Sequence, residues 1–155
     1  MIAAEVLVPI EEKGALAAMM REYIGVMAEF VPGVSANDPY PDFDRFWSDP
    51  ATHCPFWLKA GDANAGFSLV QWRPEVARTE MEEFFVVGAF RRKGVGLGAA
   101  RRLIARFPGA WQITQRETNR AAIAFWHRVL DGYVIYEETM TATDALRREQ
   151  RFNFP

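Results

Sequence analysis

The chain opens on a short apolar stretch, Ala3 to Val8. Val6, Leu7 and Val8 read there as a strand, which Pro9 closes by removing a backbone donor. From Glu11 to Phe30 the apolar residues Leu16, Met19, Met20, Ile24, Met27 and Phe30 recur at steps of three and four, the period of an amphipathic helix, and acidic residues stand at its start. Val31 to Asp42 is rich in Pro, Ser, Asn and Asp and predicts a loop, followed by a short helix over Phe43 to Trp47. Phe56 to Lys59 and Ala65 to Arg73 predict a hairpin around Gly61-Asp62-Ala63-Asn64. Thr79 to Gly88 is a longer strand whose run Phe84-Phe85-Val86-Val87 has no alternation, which implies burial on both faces and a central place in the sheet. A helix then ends near Phe107 with Leu97, Ala100, Leu103, Ile104 and Phe107 on one face, and Pro108-Gly109 stops it. Arg101, Arg102 and Arg106 fall largely on its other face and read as solvated. Ala110 to Thr114 predicts a strand, Asn119 to Leu130 a helix closed by Asp131-Gly132, and Tyr133 to Thr141 and Arg148 to Phe154 the last strands. With no repeat, linker or low-complexity segment, this order makes one α/β (α+β) domain over residues 1–155 with a mixed sheet.

Composition narrows the classes. The 155 residues are 50% hydrophobic, 14% aromatic and 25% charged, too apolar for a disordered chain and without a collagen period. A net charge of -2 argues against a dedicated nucleic-acid binder. Cys54 is the single cysteine, so no disulfide framework forms within the chain, and a reducing compartment is expected. The N-terminus has no basic stretch leading into a long apolar run, and no segment approaches the ~20 apolar residues of a membrane span. The expectation is a cytoplasmic protein without nucleic-acid or membrane partners.

The stretch with the most chemistry is Phe84 to Leu103: a buried strand, three successive cations, closely spaced glycines and an amphipathic helix. Glycine lets backbone approach a ligand, and the first turn of a helix presents unpaired N–H groups with a positive dipole end, which together suit a phosphate. The Walker pattern is absent. The dinucleotide pattern fails on spacing: Gly94, Gly96 and Gly98 are separated from the strand by a charged loop, and too few residues follow for a doubly wound sheet, although Glu117 sits near the distance of a ribose contact. Arg91-Arg92-Lys93-Gly94-Val95-Gly96 fits a third pattern, Gln/Arg-x-x-Gly-x-Gly/Ala, and Asn119-Arg120-Ala121-Ala122-Ile123-Ala124-Phe125-Trp126 fits Asn-x-x-Ala-Ile-x-Leu/Phe-Tyr except at its last position. In these motifs and in the order of elements over nearly its whole length, the chain resembles the GNAT superfamily of acyl-CoA-dependent N-acetyltransferases.

That resemblance implies a sheet of six to seven strands with helices on both faces, and acetyl-CoA as cosubstrate. It implies that the diphosphate lies on the turn Arg91, Arg92, Lys93, Gly94, Val95, Gly96 and Leu97, and that the pantetheine arm runs along the main chain of Phe85, Val86 and Val87. The strand carrying them and the next one, Ala110 to Thr114, are expected to splay, leaving main-chain donors for the thioester carbonyl and its oxyanion. Asn119 is implied to contact the arm; a helix N-cap is the competing role, and both can hold. Trp126 stands at the cofactor position where the family carries a tyrosine that protonates the thiolate. An indole N–H is no practical acid, so core packing is the favoured role for Trp126, and Tyr133 and Tyr136 are substitutes without a spacing argument.

An attacking amine must be neutral, which calls for a base. Glu80, Glu82 and Glu83 precede the cofactor segment on the long strand. Alternation puts Glu80 and Glu82 on one face and Glu83 on the other unless a bulge intervenes, so Glu82 and then Glu80 are the candidate bases, against a merely solvated strand end. His53 and His127 lack ligand spacing, Cys54 reads as a structural thiol, and no metal is expected. Met19, Met20 and Met27 read as core. Asp38, Asp42 and Asp44 suit a cationic amine that Tyr40 or Phe43 would cover, or form an ordinary acidic loop. The implied function is transfer of an acetyl group to a small-molecule or protein amine by direct attack, a homodimer being left open. The alternative is an acyl-CoA-binding sensor or partner-binding module without useful catalysis, which Trp126 keeps in play.

Overall fold

The computed structural model describes residues 3–142 and 145–155; Met1 and Ile2, on which the reading of the N-terminus also bears, lie outside them. Strand β1 (Ala3–Leu7) ends at Pro9, and a 3-10 turn over Ile10–Glu12 leads into α1 (Lys13–Met27). Next come α2 (Arg45–Ser48), β2 (His53–Ala60), β3 (Ala63–Arg73) and β4 (Arg78–Val86). Then α3 (Val95–Arg106), β5 (Gly109–Arg116), α4 (Arg120–Val129), β6 (Ile135–Ala142) and β7 (Leu146–Phe154) complete the chain. The predicted elements are all present, with α1 ending three residues before Phe30 and α3 starting two before Leu97.

The strands form one seven-stranded sheet in the order β1-β2-β3-β4-β5-β7-β6. Its neighbours pair antiparallel except β4 and β5, which run parallel because α3 carries the chain back across the sheet. Side chains alternate across the sheet and separate its core into two clusters. Phe56, Leu58, Val70, Met81, Trp111 and Phe152 pack beneath Leu103 and Ile104 of α3 and Trp126 of α4. Trp57, Phe67, Leu69 and Phe85 pack on the opposite face beneath Leu16, Met20 and Ile24, which recur every fourth residue of α1. Helices therefore cover both faces, and β4 sits in the middle with Phe84 and Val86 turned to one cluster and Phe85 to the other.

Arg102 and Arg106 of α3 are exposed and Arg101 is half-buried, and all three also make bonds to neighbouring elements. Arg102 grips the Glu5 carboxylate of β1 at 2.8 Å, and Arg106 donates to the Glu5 carbonyl while stacking over Phe56. Arg101 donates to the carbonyls of Arg128 and Val129 at the C-terminal end of α4, where the helix presents its last acceptors.

Two irregularities in β4 open the sheet at its centre. Its register against β3 slips between Leu69↔Glu83 and Val70↔Met81, so Glu82 is an extra, unpaired residue, a β-bulge. Its parallel pairing with β5 covers Thr79↔Trp111, Glu80↔Gln112 and Met81↔Ile113 and stops there, although β4 runs on to Val86 and β5 to Arg116. Beyond Met81, β4 stays with β3 and β5 stays with β7, so the sheet parts into a V.

Strand β3 leaves no room for side-chain bulk beside this opening. A Cβ on Gly66 would stand 2.0 Å from the Phe85 carbonyl oxygen. Gly66→Ala must push β3 off β4, and urea unfolding should report a loss of about 1–3 kcal/mol, the usual cost of overpacking. An unchanged midpoint would show that the two strands can part freely at this point.

Candidate active site

The segment after β4 makes a 3-10 turn at Gly88–Phe90 and enters α3 through Arg92 at φ 60° and Gly94 at φ 77°. Gly94 occupies the N-cap in the left-handed region and supplies no side-chain cap. The helix's own bonding begins with the Gly98 N–H on the Gly94 carbonyl, so the N–H groups of Val95, Gly96 and Leu97 point outward with the positive end of the dipole. Helix α4 behaves differently: the Asn119 side chain accepts from the Ala122 N–H at 3.1 Å and caps it. Gly96 is pressed against the end of β4, where a Cβ would lie 3.3 Å from Val86 and 3.4 Å from Phe125. The open helix start is thereby fixed beside the V. All three cations are exposed; Arg91 folds back, its Nε donating to the Val86 carbonyl at 2.7 Å and its guanidinium lying over Phe85.

Backbone alternation decides which amides line the V. The Val87 N–H bonds the Ala65 carbonyl and the Glu83 carbonyl accepts from the Ser68 hydroxyl, so residues 83, 85 and 87 turn their polar groups to β3. Phe84 and Val86 then turn theirs toward β5, and Arg91 reaches the Val86 carbonyl from that side. Of the segment expected to carry the arm, the main-chain groups of Val86 face the V, whereas those of Phe85 and Val87 face β3. Trp126 is 6% exposed, its ring 5.3 Å from Phe84 and 5.1 Å from Phe125, and it works as core. Tyr133 packs on Phe152 and Phe154, and Tyr136 is exposed on β6.

The bulge alters the carboxylates. Glu80, Glu82 and Glu83 all fall on the α1 face, since Glu83 pairs with Leu69 of that face and Glu80 lies opposite Gln71, one residue from Val70 of the other. Arg73 binds Glu80 at 3.1 Å and Glu82 at 3.0 Å, and Arg78 binds Glu80 at 3.2 Å. Burial and the Glu80 charge raise the Glu82 carboxyl above its usual range, and Arg73 opposes them. The candidate bases named from alternation are therefore held in ion pairs. Glu83 is not: its carboxylate accepts from the Tyr23 hydroxyl of α1 and, at 3.0 Å, from the Tyr40 hydroxyl of the loop before α2. Burial pushes its carboxyl up to about 7, against the pull of the two hydroxyl bonds. The same burial and the Glu83 charge drive both phenols upward, so they donate hydrogen bonds and do not release protons. The sequence did carry a sign of this: Met81 and Phe84 face the same cluster three residues apart, which strict alternation forbids.

A cavity of about 590 Å³ lies between α1 and the loop before α2, walled by Met20, Ile24, Asp38, Tyr40, Asp42 and Phe43. Tyr40 belongs both to this wall and to the Glu83 carboxylate. The expected acidic lining is tempered: Asp44 is paired with Lys13, Asp38 accepts from the Ser35 N–H, and Arg21 and Arg45 also border the space. Elsewhere, burial raises the Cys54 thiol, and His53 is buried against the Thr52 hydroxyl and Phe46. Among the described residues no three His, Cys, Asp or Glu side chains are grouped to hold a metal, and no helix is long and apolar enough to cross a membrane.

The family model for the acetyltransferase (GNAT) family matches residues 12–131. No protein of curated function matches the sequence. Among solved structures, an acetyltransferase from Thermus thermophilus superposes with a TM-score of 0.73 at 13% identity, over 99% of this chain and 98% of its own. Spermidine N-acetyltransferase from Vibrio cholerae, in complex with CoA and spermine, gives 0.67 at 10% identity, over 98% and 95%. The ribosomal-protein-S18-alanine N-acetyltransferase from Escherichia coli gives 0.61 at 16% identity, over 99% and 94%. At these identities the likeness is one of fold.

The Glu83 environment ties stability to pH. Its folded carboxyl is raised from an ordinary 4.5 to about 7, so its contribution is fully present below 4.5 and is lost as pH rises through 7. Glu83→Gln removes this dependence. Urea unfolding from pH 4.5 to 8 should show the variant gaining on the wild type across that window, by up to about 3 kcal/mol, then levelling off. A difference independent of pH would mean that Glu83 ionises normally.

Proposed function

The chain belongs to the acetyltransferase (GNAT) family and is an acyltransferase, and from that premise we propose that it carries an acetyl group from acetyl-CoA to a primary amine by direct attack. The observation that carries this reading is the uncapped start of α3, set by Gly94 and Gly96 at the mouth of the V between β4 and β5. The diphosphate of the coenzyme binds the N–H groups of Val95, Gly96 and Leu97, with Arg92 and Lys93 adding charge and Arg91 bracing the turn. The pantetheine arm enters the V along the Val86 main chain, and the Phe84 and Val86 edge donates to the thioester carbonyl. Asn119 holds the start of α4 beside the arm. The CoA in the Vibrio cholerae neighbour supports this choice of cosubstrate.

The reaction needs one proton acceptor. The amine nitrogen bonds to the thioester carbon, and the carbonyl electrons move onto the oxygen, where main-chain donors hold them. Collapse breaks the C–S bond, CoA leaves as the thiolate, and the amine's proton passes to Glu83. Glu83 replaces Glu82 and Glu80 in this role because its partners are neutral hydroxyls, whereas theirs are guanidinium groups. A carboxyl near 7 is about half ionised at neutral pH, so it is both available as a base and basic enough to take a proton. The acceptor approaches through the 590 Å³ cavity beside Tyr40. One structural neighbour is named for spermidine and another for a protein alanine, which supports an amine acceptor without choosing between small molecule and chain terminus. A cytoplasmic setting supplies acetyl-CoA and suits the free Cys54 thiol.

CoA at about 100 times its dissociation constant should stabilise the protein by ~2.7 kcal/mol, seen as a rise in melting temperature. Thiol release is to be followed with acetyl-CoA and each of butylamine, spermidine and an alanine-terminated peptide. Glu83→Gln should keep the CoA-induced rise and lose about 10²–10⁴-fold in turnover, while Glu82→Gln should lose far less. No melting change with CoA would sink the coenzyme site. Binding without turnover on any amine would favour the acyl-CoA-binding module that Trp126 keeps in view.

A further inference from the structure

The hydroxyls on Glu83 come from far apart in sequence. Tyr23 stands on α1, 60 residues before Glu83, and Tyr40 on the loop before α2, 43 residues before it. Each takes a different oxygen of the carboxylate. Both rings are themselves held. Tyr23 is edge-on to Phe67 at 5.7 Å and to Phe85 at 5.5 Å, both in the core. Tyr40 meets Phe43, Phe43 meets Trp47 at 5.0 Å, and the Trp47 indole N–H donates to the Val8 carbonyl beside β1. A carboxylate taken out of water is normally driven to its neutral form, and a side chain with a free terminal torsion can turn its oxygens anywhere. Two donors fixed in advance counter both tendencies.

We propose that Tyr23 and Tyr40 are positioning residues, a two-hydroxyl clamp that fixes the orientation of the Glu83 carboxylate and keeps it ionised for the incoming amine. This rests on Glu83 being the base. The choice of phenols matters. A guanidinium, as Arg73 supplies to Glu80 and Glu82, occupies the carboxylate with a full positive charge, which a proton from the amine would have to displace. A neutral hydroxyl donates a hydrogen bond and leaves basicity near neutral pH. The other charges around the clamp are Glu82 on β4 itself, which acts on both Glu83 and Tyr40; Asp42, which acts on Tyr40; and Arg116 of β5, which acts on Tyr23. Arg73 and Glu80 lie behind Glu82. None of these replaces a lost hydroxyl. Tyr40 also faces the cavity, so the clamp is half built by a residue that the acceptor touches.

The test is the carboxyl titration of full-length protein carrying ¹³C-glutamate, the Glu83 signal being assigned by its loss in Glu83→Gln. The wild-type midpoint should fall near 7. Tyr23→Phe and Tyr40→Phe each delete one donor, and each should move the midpoint up by about one pH unit. Tyr136→Phe, on an exposed ring, should move nothing. The rising limb of kcat/KM with pH, read by thiol release on the best amine of the panel, should shift with the midpoint while KM for acetyl-CoA stays put. Melting curves screen each variant for folding, and either tyrosine alone suffices. Midpoints unmoved in both variants would overturn the clamp. So would midpoints that move without the rate limb. Glu83→Gln with full activity would instead remove the base, a failure visible separately from that of the clamp.

Discussion

Parallel strands gain from staying together, yet β4 and β5 share only three register pairs before they separate. The extra residue at Glu82 bends β4 at the point where pairing ends, and an unbroken β5–β7 ladder keeps β5 from following. Unpaired main-chain groups inside a protein carry a cost that water, a ligand or another strand must offset. The opening therefore has the character of a binding slot: two strand edges that no longer pair with each other, with Arg91 donating to the Val86 carbonyl on one of them. Core packing on both faces makes it rigid. Phe84 stacked on Phe125 and edge-on to Trp126 holds one side, and Phe85 against Phe67 and Tyr23 holds the other.

The same bulge brings three acidic positions to one face, where they could repel one another. The fold disposes of them in two ways. Glu80 and Glu82 share Arg73, with Arg78 completing the cluster, so charge is matched by charge. Glu83 meets only hydroxyls and stays close to the balance between its two forms. The ion pairs also shield Glu83 from part of its neighbours' negative charge, which would otherwise raise its proton affinity further.

Much of this was legible in the chain. Apolar period placed the helices, the run Phe84-Phe85-Val86-Val87 marked the central strand, and Gly94-Val95-Gly96 after three cations marked the open helix start. These depend on local chemistry: side-chain period, a left-handed cap, a missing Cβ. The carboxylate was not legible by the same means. Alternation assigns Glu83 to the wrong face because one extra residue inverts everything beyond it, and only the spacing of Met81 and Phe84 betrays that residue. Tyr23 and Tyr40 reach Glu83 across 60 and 43 residues, and no local pattern encodes such an approach. The bonds of the α3 arginines escape the sequence for a related reason. The face is solvated, as its charge suggests, but its partners, the carboxylate of Glu5 and the carbonyls at the end of α4, are brought beside it only by the fold.

Trp126 bears on how the proposed reaction ends. Buried beneath Phe84, its indole packs the slot's floor and offers no acid. The phenols near the site are driven upward by burial and by Glu83, so neither is a ready proton source. In the proposed reaction the proton that the amine loses is thus the one proton the site has to handle, and the carboxyl proposed to take it is the one that burial raises to about 7. A thiol of ordinary acidity, near pKa ~8.5, is a tolerable anionic leaving group at neutral pH, and it can be protonated by water after it departs. An alcohol leaving group would need an acid in place; a thiolate does not. The proposed site, with one base and no acid, is therefore chemically matched to a thioester donor, and the proposed reaction does not call for a tyrosine at position 126.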